Sequence, residues 1–258
     1  MTDGAAPSMR RAGSGPPVVL VHGFLGGSAQ WAAEIDALSA HFDVIAVDLP
    51  GFGDAKARPG LQTIPDLADA VLEKLDAVGV GRFALLGHSM GGMIVQEIAR
   101  RAPDRLHRLV LYGTGPDGEM PGRFETIATS KARLAEDGVA PTAARIAATW
   151  LRHGTNAAAY PLLRDIGASA SADAAQNALS AMAIWSGRDA LSGFTMPTMI
   201  LWGDQDRSYR WPQIHDLWTA IPNAQLAVVP GASHAAHAEK PAIVCAVLAD
   251  FFSADLSG

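Results

Sequence analysis

Six short runs of the chain are apolar throughout or but for a polar first residue: residues 17–21, 44–47, 83–86, 109–112, 198–202 and 225–229. A strand with one wet face alternates apolar and polar residues. A short unbroken run instead fits a strand covered on both faces, the environment of a parallel sheet. Between these runs the period changes to that of a helix. Residues 30–40 put Trp31, Ile35 and Leu38 on one side, and 64–78 group Leu67, Val71, Leu75 and Val78 before Gly79 stops them. Further helical patterns cover 90–101, ending before Pro103, then 211–221 and 241–252. Strands alternating with helices predict an α/β fold, with a mostly parallel central sheet flanked by helices.

One interval breaks the rhythm. A strand–helix–strand crossover needs ~30 residues, yet the stretch from Gly113 to Met196 is far longer. It carries helix-like segments at 123–136, 142–151, 160–167 and 173–185. It reads as a helical insertion over one end of the sheet. The chain then divides into a core of 1–114 and 195–258 and an inserted layer of 115–194.

Composition narrows the partners. A net charge of −6 argues against nucleic acid or an anionic membrane surface, since both select concentrated positive charge. The densest basic group (Arg100, Arg101, Arg105, His107, Arg108) surrounds Pro103-Asp104 and reads as a solvated helix end. No run approaches the ~20 apolar residues of a membrane span, and the first residues hold no apolar segment of a secretion signal. A cytoplasmic protein acting on a small molecule is the expectation. The single cysteine, Cys245, excludes an intrachain disulfide and lies in the apolar run 243–248, so it reads as core.

The chemistry-bearing motif is Gly87-His88-Ser89-Met90-Gly91, which directly follows one strand-like run and directly precedes a helix-like one. A sharp turn there would lift the serine hydroxyl out of the sheet, with glycines where a Cβ would clash. Helix N-terminal N–H groups favour negative charge developing beside it. The bland alternative is a serine that caps the helix. A nucleophilic serine needs a base, and the base needs an orienting acid. Gly203-Asp204-Gln205-Asp206 follows the run 198–202, and Gly231-Ala232-Ser233-His234 follows 225–229. In a parallel sheet these loops meet Ser89 at one edge. Spacing alone leaves Asp204 and Asp206 both open.

The sequence resembles the α/β-hydrolase family across nearly its whole length. The resemblance rests on His22-Gly23-Phe24-Leu25-Gly26-Gly27, Asp48-Leu49-Pro50-Gly51-Phe52-Gly53, Gly87-His88-Ser89-Met90-Gly91-Gly92, Gly203-Asp204-Gln205-Asp206, and Gly231-Ala232-Ser233-His234 with Glu239-Lys240-Pro241. It implies Ser89 as nucleophile, Asp206 as acid, His234 as base, and the insertion as a helical cap over the substrate. Asp117 or Glu119 is the acid in a rarer arrangement. The oxyanion donors would be the backbone N–H groups of Phe24 and Met90. His22 reads as structural. His88 is open between pocket and packing, and it joins Trp150, Met182 and Trp185 as candidate substrate contacts. His237 lies three residues from His234 without further ligands nearby, so neither a metal nor any other cofactor is expected.

The implied reaction is hydrolysis of an ester, thioester or lactone, and cofactor-free perhydrolysis is open to the same triad. Carbon–carbon bond hydrolases of the family usually carry asparagine before the serine and tryptophan after the histidine; here His88 and Ala235 stand there. Dehalogenases and epoxide hydrolases need an aspartate nucleophile. A reading of another class is a slow-turnover receptor on the same fold. Relatives also carry two strands ahead of the His-Gly loop, and the short Gly-, Ala-, Pro- and Ser-rich segment before Pro17 predicts reduced or missing leading strands.

Overall fold

The computed structural model describes residues 8–119 and 121–254. Its sheet runs β1 (Met9–Ala12), β3 (Asp43–Val47), β2 (Pro17–Val21), β4 (Phe83–His88), β5 (Leu106–Tyr112), β6 (Thr198–Gly203) and β7 (Gln225–Val229), in that spatial order. β1 is antiparallel to β3, and every other pairing is parallel. The helices in chain order are α1 (Ala32–Leu38), α2 (Ile64–Ala77), α3 (Met90–Arg101), α4 (Ile127–Asp137), α5 (Val139–Trp150), α6 (Tyr160–Ala168), α7 (Ala172–Ile184), α8 (Trp211–Ala220), α9 (Ala236–Glu239) and α10 (Pro241–Ser253). This is the α/β-hydrolase architecture anticipated from the sequence. Among the described residues no helix is long and apolar enough to cross a membrane.

The unbroken apolar runs have a direct cause. Successive strand residues point to opposite faces, and here both faces are covered. Val19, Val21, Leu85, Leu111 and Ile200 pack with residues of α2 and α3 in one core. Val18, Leu20, Leu86, Val110 and Leu201 pack with residues of α1 and α10 in the other. β7 departs from the expectation of two covered faces. It lies at the sheet edge, and Gln225 and Val228 are exposed.

Other differences are local. Residues 30–40 are not one helix: a 3-10 turn, Ser28–Trp31, precedes α1. The expected helix at 123–136 starts later, at Ile127, because the Thr126 hydroxyl caps it by accepting from Thr129 N at 3.1 Å. α9 was not anticipated. One short leading strand, β1, is present, and Arg11 holds it to β3 through Asp43 at 2.8 and 2.6 Å.

α4 to α7 fill the interval between β5 and β6 and fasten to loops at the carboxyl ends of the strands. Ala235 N donates to Trp150 O at 3.0 Å, Ser171 N to Gly51 O at 2.9 Å, and Arg207 Nη2 to Thr149 O at 3.0 Å. The end of α5 is thereby brought to the loops that follow β6 and β7.

Candidate active site

Ser89 is the residue between β4 and α3, at φ 59° and ψ −120°. A positive φ is strained for a non-glycine residue, by about 1–3 kcal/mol. The turn is held by Ser89 N donating to Tyr112 O at 2.9 Å and by Thr114 Oγ1 donating to Ser89 O at 2.9 Å. Its tightness explains the flanking glycines. A Cβ on Gly87 would sit 2.2 Å from Gly91 O, and one on Gly91 would sit 2.4 Å from Val21 O. The Ser89 side chain makes no capping bond to α3, so the capping reading of this serine does not hold. The residue is 7% exposed.

The two aspartates after β6 separate by their partners. Asp206 Oδ2 lies 2.8 Å from His234 Nδ1, and Asp206 Oδ1 accepts from Ser208 N at 2.7 Å and Tyr209 N at 3.1 Å. Both acid oxygens are thus committed, and the imidazole is oriented by one of them. Asp204 Oδ1 instead accepts from Gly231 N at 2.6 Å and holds the loop before His234. Asp117 pairs with Arg188 and Ser186, and Glu119 is exposed. The opposite ring nitrogen, His234 Nε2, is buried and makes no hydrogen bond among the described residues. Tyr209 stacks on the His234 ring at 5.7 Å and Trp150 packs against it at 5.7 Å. Burial raises the Tyr209 phenol above its ordinary range, while Arg123 and the nearby Ser89 hydroxyl pull it the other way.

Gly23 approaches Ser89 from the loop after β2: a Cβ there would meet Ser89 Cβ at 2.8 Å. The next residue is Phe24. Neither its N–H nor that of Met90, the first residue of α3, donates to a described residue outside regular structure, and a helix offers no acceptor for its first N–H groups. His22 behind this loop is structural. Leu49 N donates to its Nε2 at 3.0 Å, so its Nδ1–H donates to Gly23 O at 2.8 Å. Burial holds this ring below its usual pKa, consistent with a neutral tautomer.

For His88, open between pocket and packing, the surroundings are those of packing. Strand alternation puts it on the face of Ala84 and Leu86, in the core that α1 and α10 cover. Its ring packs against Trp31, Tyr112, His234 and His237, and its Nε2–H donates to the His234 backbone carbonyl at 3.0 Å. It supports the histidine loop through that bond. Burial, then His234 and His237, push its pKa well below the ordinary value. Tyr112 was missed at the sequence level: its hydroxyl donates to His234 O at 3.2 Å and accepts from His237 N at 2.9 Å. The parity of β5 could have found it, since Tyr112 shares a face with Val110. His237 Nδ1 lies 3.0 Å from the same hydroxyl, which makes it part of this support. Cys245 is buried, as expected, with its thiol 3.8 Å from Glu34 Oε1.

Of the other candidate contacts, Trp150 reaches His234, as given above. Trp185 lies over Gly187 and beside Gln96, and it borders an outer cavity of about 430 Å³ with Asp117, Ser186, Arg188 and Gln213. Met182 is buried, and its carbonyl abuts Gly118.

A sequence profile described as "alpha/beta hydrolase fold" matches residues 16–241. A curated relative, the pimeloyl-[acyl-carrier protein] methyl ester esterase of Aeromonas salmonicida, is 37% identical over 110 residues, 42% of this chain and 42% of that protein. The chain therefore spans less than half of that relative's length. Among solved structures, a thermophilic esterase from Thermogutta terrifontis superposes with a TM-score of 0.87 at 28% identity, covering 95% of this chain and 92% of the other. The enol-lactonase of Burkholderia xenovorans LB400 shares the fold with a TM-score of 0.86 at 24% identity, over 95% of each chain.

Proposed function

The chain belongs to the α/β-hydrolase family, and on that premise we propose that it is a serine hydrolase of small to medium, partly apolar esters, thioesters or lactones. The observation that carries this reading is the 2.8 Å bond between Asp206 and His234 Nδ1, which leaves Nε2 without a partner among the described residues, together with the strained turn at Ser89. In this reading Ser89 Oγ attacks the carbonyl while His234 Nε2 takes its proton. Asp206 holds the Nδ1–H tautomer and stabilises the imidazolium. The N–H groups of Phe24 and Met90 receive the oxyanion, where one such donor is worth ~10²–10³ in rate. His234 then protonates the leaving oxygen or sulfur and activates the water that releases the acyl group. No step calls for a cofactor. The inserted helices, 115–194, act as the cap that keeps bulk water from this chemistry, which fits the burial of Ser89 and of Trp150.

The test is hydrolysis of a chain-length series of p-nitrophenyl esters by wild type and Ser89→Ala. We expect turnover in the wild type and a loss of roughly 10⁴-fold or more in the variant. Full activity in Ser89→Ala would refute the assignment.

A further inference from the structure

The inserted helices hold a concentration of positive charge that the chemistry above does not use. Arg145 lies on α5, about one and a half turns before Trp150. Its Nη1 and Nη2 are both buried, and neither makes a hydrogen bond among the described residues. The nearest acid, Glu125, places Oε1 3.6 Å from Nη1. That oxygen already accepts from Ser130 Oγ at 2.6 Å, and the other faces Arg133 Nη1 at 3.2 Å. Arg123 enters from the segment before α4, donating to Glu125 O and to Ser130 Oγ at 3.1 Å each. Two guanidinium groups thus face one carboxylate, and a third, Arg123, bonds the backbone carbonyl of the same residue. Arginine stays protonated when buried, so the cluster keeps an excess of positive charge.

This cluster is connected to the catalytic residues. Arg123 lies within the electrostatic reach of both Arg145 and Tyr209, and Tyr209 stacks on His234 beside the Ser89 hydroxyl. Thr142 Oγ1, one turn before Arg145, and His234 Nε2 are both buried without a hydrogen-bond partner among the described residues. Most buried polar groups in proteins are paired, and each orphan calls for an explanation. Here unpartnered atoms occur on His234, on Thr142 and on the Arg145 guanidinium, whose Nη1 has only the 3.6 Å ion pair with Glu125 and whose Nη2 has no hydrogen bond among the described residues. A planar guanidinium fork matches a carboxylate in bidentate geometry.

We propose that Arg145, supported by Arg123, is a carboxylate-recognition subsite, and that the substrate is an ester or lactone whose far end carries a free carboxylate. This rests on the reading of Ser89 as nucleophile, which assigns the scissile carbonyl to Ser89 and the carboxylate to Arg145. Trp150, which shares α5 with Arg145 and packs against His234, would border the alkyl spacer.

Two measurements test it. The first compares kcat/KM for monomethyl glutarate, adipate and pimelate with the neutral methyl alkanoates of matching length. The second is calorimetric titration of wild type, Arg145→Gln and Arg145→Lys with glutarate, adipate and pimelate, which needs no turnover. A charge-assisted hydrogen bond is worth a factor of roughly 10–100. We expect the wild type to prefer the best monomethyl diacid ester over its neutral counterpart by that factor. Arg145→Gln should bring the ratio near one and weaken diacid binding by at least tenfold. Arg145→Lys, which keeps the charge but not the fork, should fall between, and it carries the test if the glutamine variant does not fold. Arg164→Gln, exposed on α6, should keep the wild-type ratio. A wild-type ratio near one, or diacid binding indifferent to Arg145, overturns the subsite. Arg145-dependent diacid binding without ester turnover leaves the subsite standing and overturns the hydrolase reading instead.

Discussion

Asp204 and Asp206 are two residues apart and chemically identical, yet their substitutions should differ by orders of magnitude. Asp206→Asn removes the acceptor that selects the Nδ1–H tautomer of His234, and kcat on p-nitrophenyl esters should fall by ~10³–10⁴. Asp204→Asn keeps an oxygen that can accept from Gly231 N, so its loss should stay within about tenfold. The local motifs made Ser89, Asp206 and His234 legible, because each stands in a short signature at a strand end. What they hid was the support of His234 from below. His88 and Tyr112 bond its carbonyl from neighbouring strands, a relation that only strand order and parity create. His88 is thus a positioning residue. His88→Ala should lower kcat by ~10–100-fold with KM little changed, since a small displacement of the base is costly. His88→Gln, which can still donate to the carbonyl, should recover part of that loss. Equal changes in kcat and KM, or no rescue by glutamine, would make His88 mere packing.

Elements were legible wherever burial is symmetric and obscure wherever it is not. The strand-like runs at 83–86 and 109–112 fall inside β4 and β5 because two cores cover them. β1 carries Met9-Arg10-Arg11-Ala12, has no apolar signature, and is fixed at the edge by the Arg11–Asp43 pair. Residues 123–126 have helical composition, but Thr126 caps α4 with its own backbone extended and Arg123 is drawn toward Ser130, so the helix does not reach back over them. The crossing of α3 over β2 can be tested directly. A Cβ on Gly91 would lie 2.4 Å from Val21 O and 2.6 Å from His22 O, both main chain. Gly91→Ala should therefore force the helix off the sheet and cost ~3 kcal/mol or more in urea unfolding. Gly79→Ala, at φ +72° with nothing within 4 Å of the new methyl, should cost only the ~1–2 kcal/mol of left-handed strain. Similar losses at the two sites would refute the close-packing account of Gly91.

At the scale of the whole molecule, the ionisable groups that folding takes out of water include Glu34, His22, His88 and His237, and burial shifts the titration of each. Burial raises Glu34 to about 7, and its Oε2 has no partner among the described residues. In the unfolded chain it titrates near ~4.3. Between those values the native state keeps a proton that the unfolded chain has released, so this group's contribution falls as pH rises through the window and levels off above about 7. The histidines act with the opposite sign. Burial lowers His237 to about 3 and moves His88 and His22 downward, while unfolded histidine takes up its proton near ~6.5. Below ~6.5 the unfolded chain gains protons that the native rings refuse, so stability falls as pH drops toward about 3. The histidine slopes outnumber that of Glu34 where they overlap, which places the stability maximum of this group near pH ~6.5. Glu34→Gln removes only the alkaline limb. Its unfolding free energy relative to wild type should be level below pH ~4.3, climb between ~4.3 and about 7, and exceed the acidic value by on the order of 3 kcal/mol at pH 8.5. Urea unfolding of both proteins at pH 4, 6 and 8.5 measures that difference. A difference independent of pH would mean that Glu34 titrates in the folded protein as it does in the unfolded chain, so that the core between α1 and α10 carries a charge at pH 6 and 8.5.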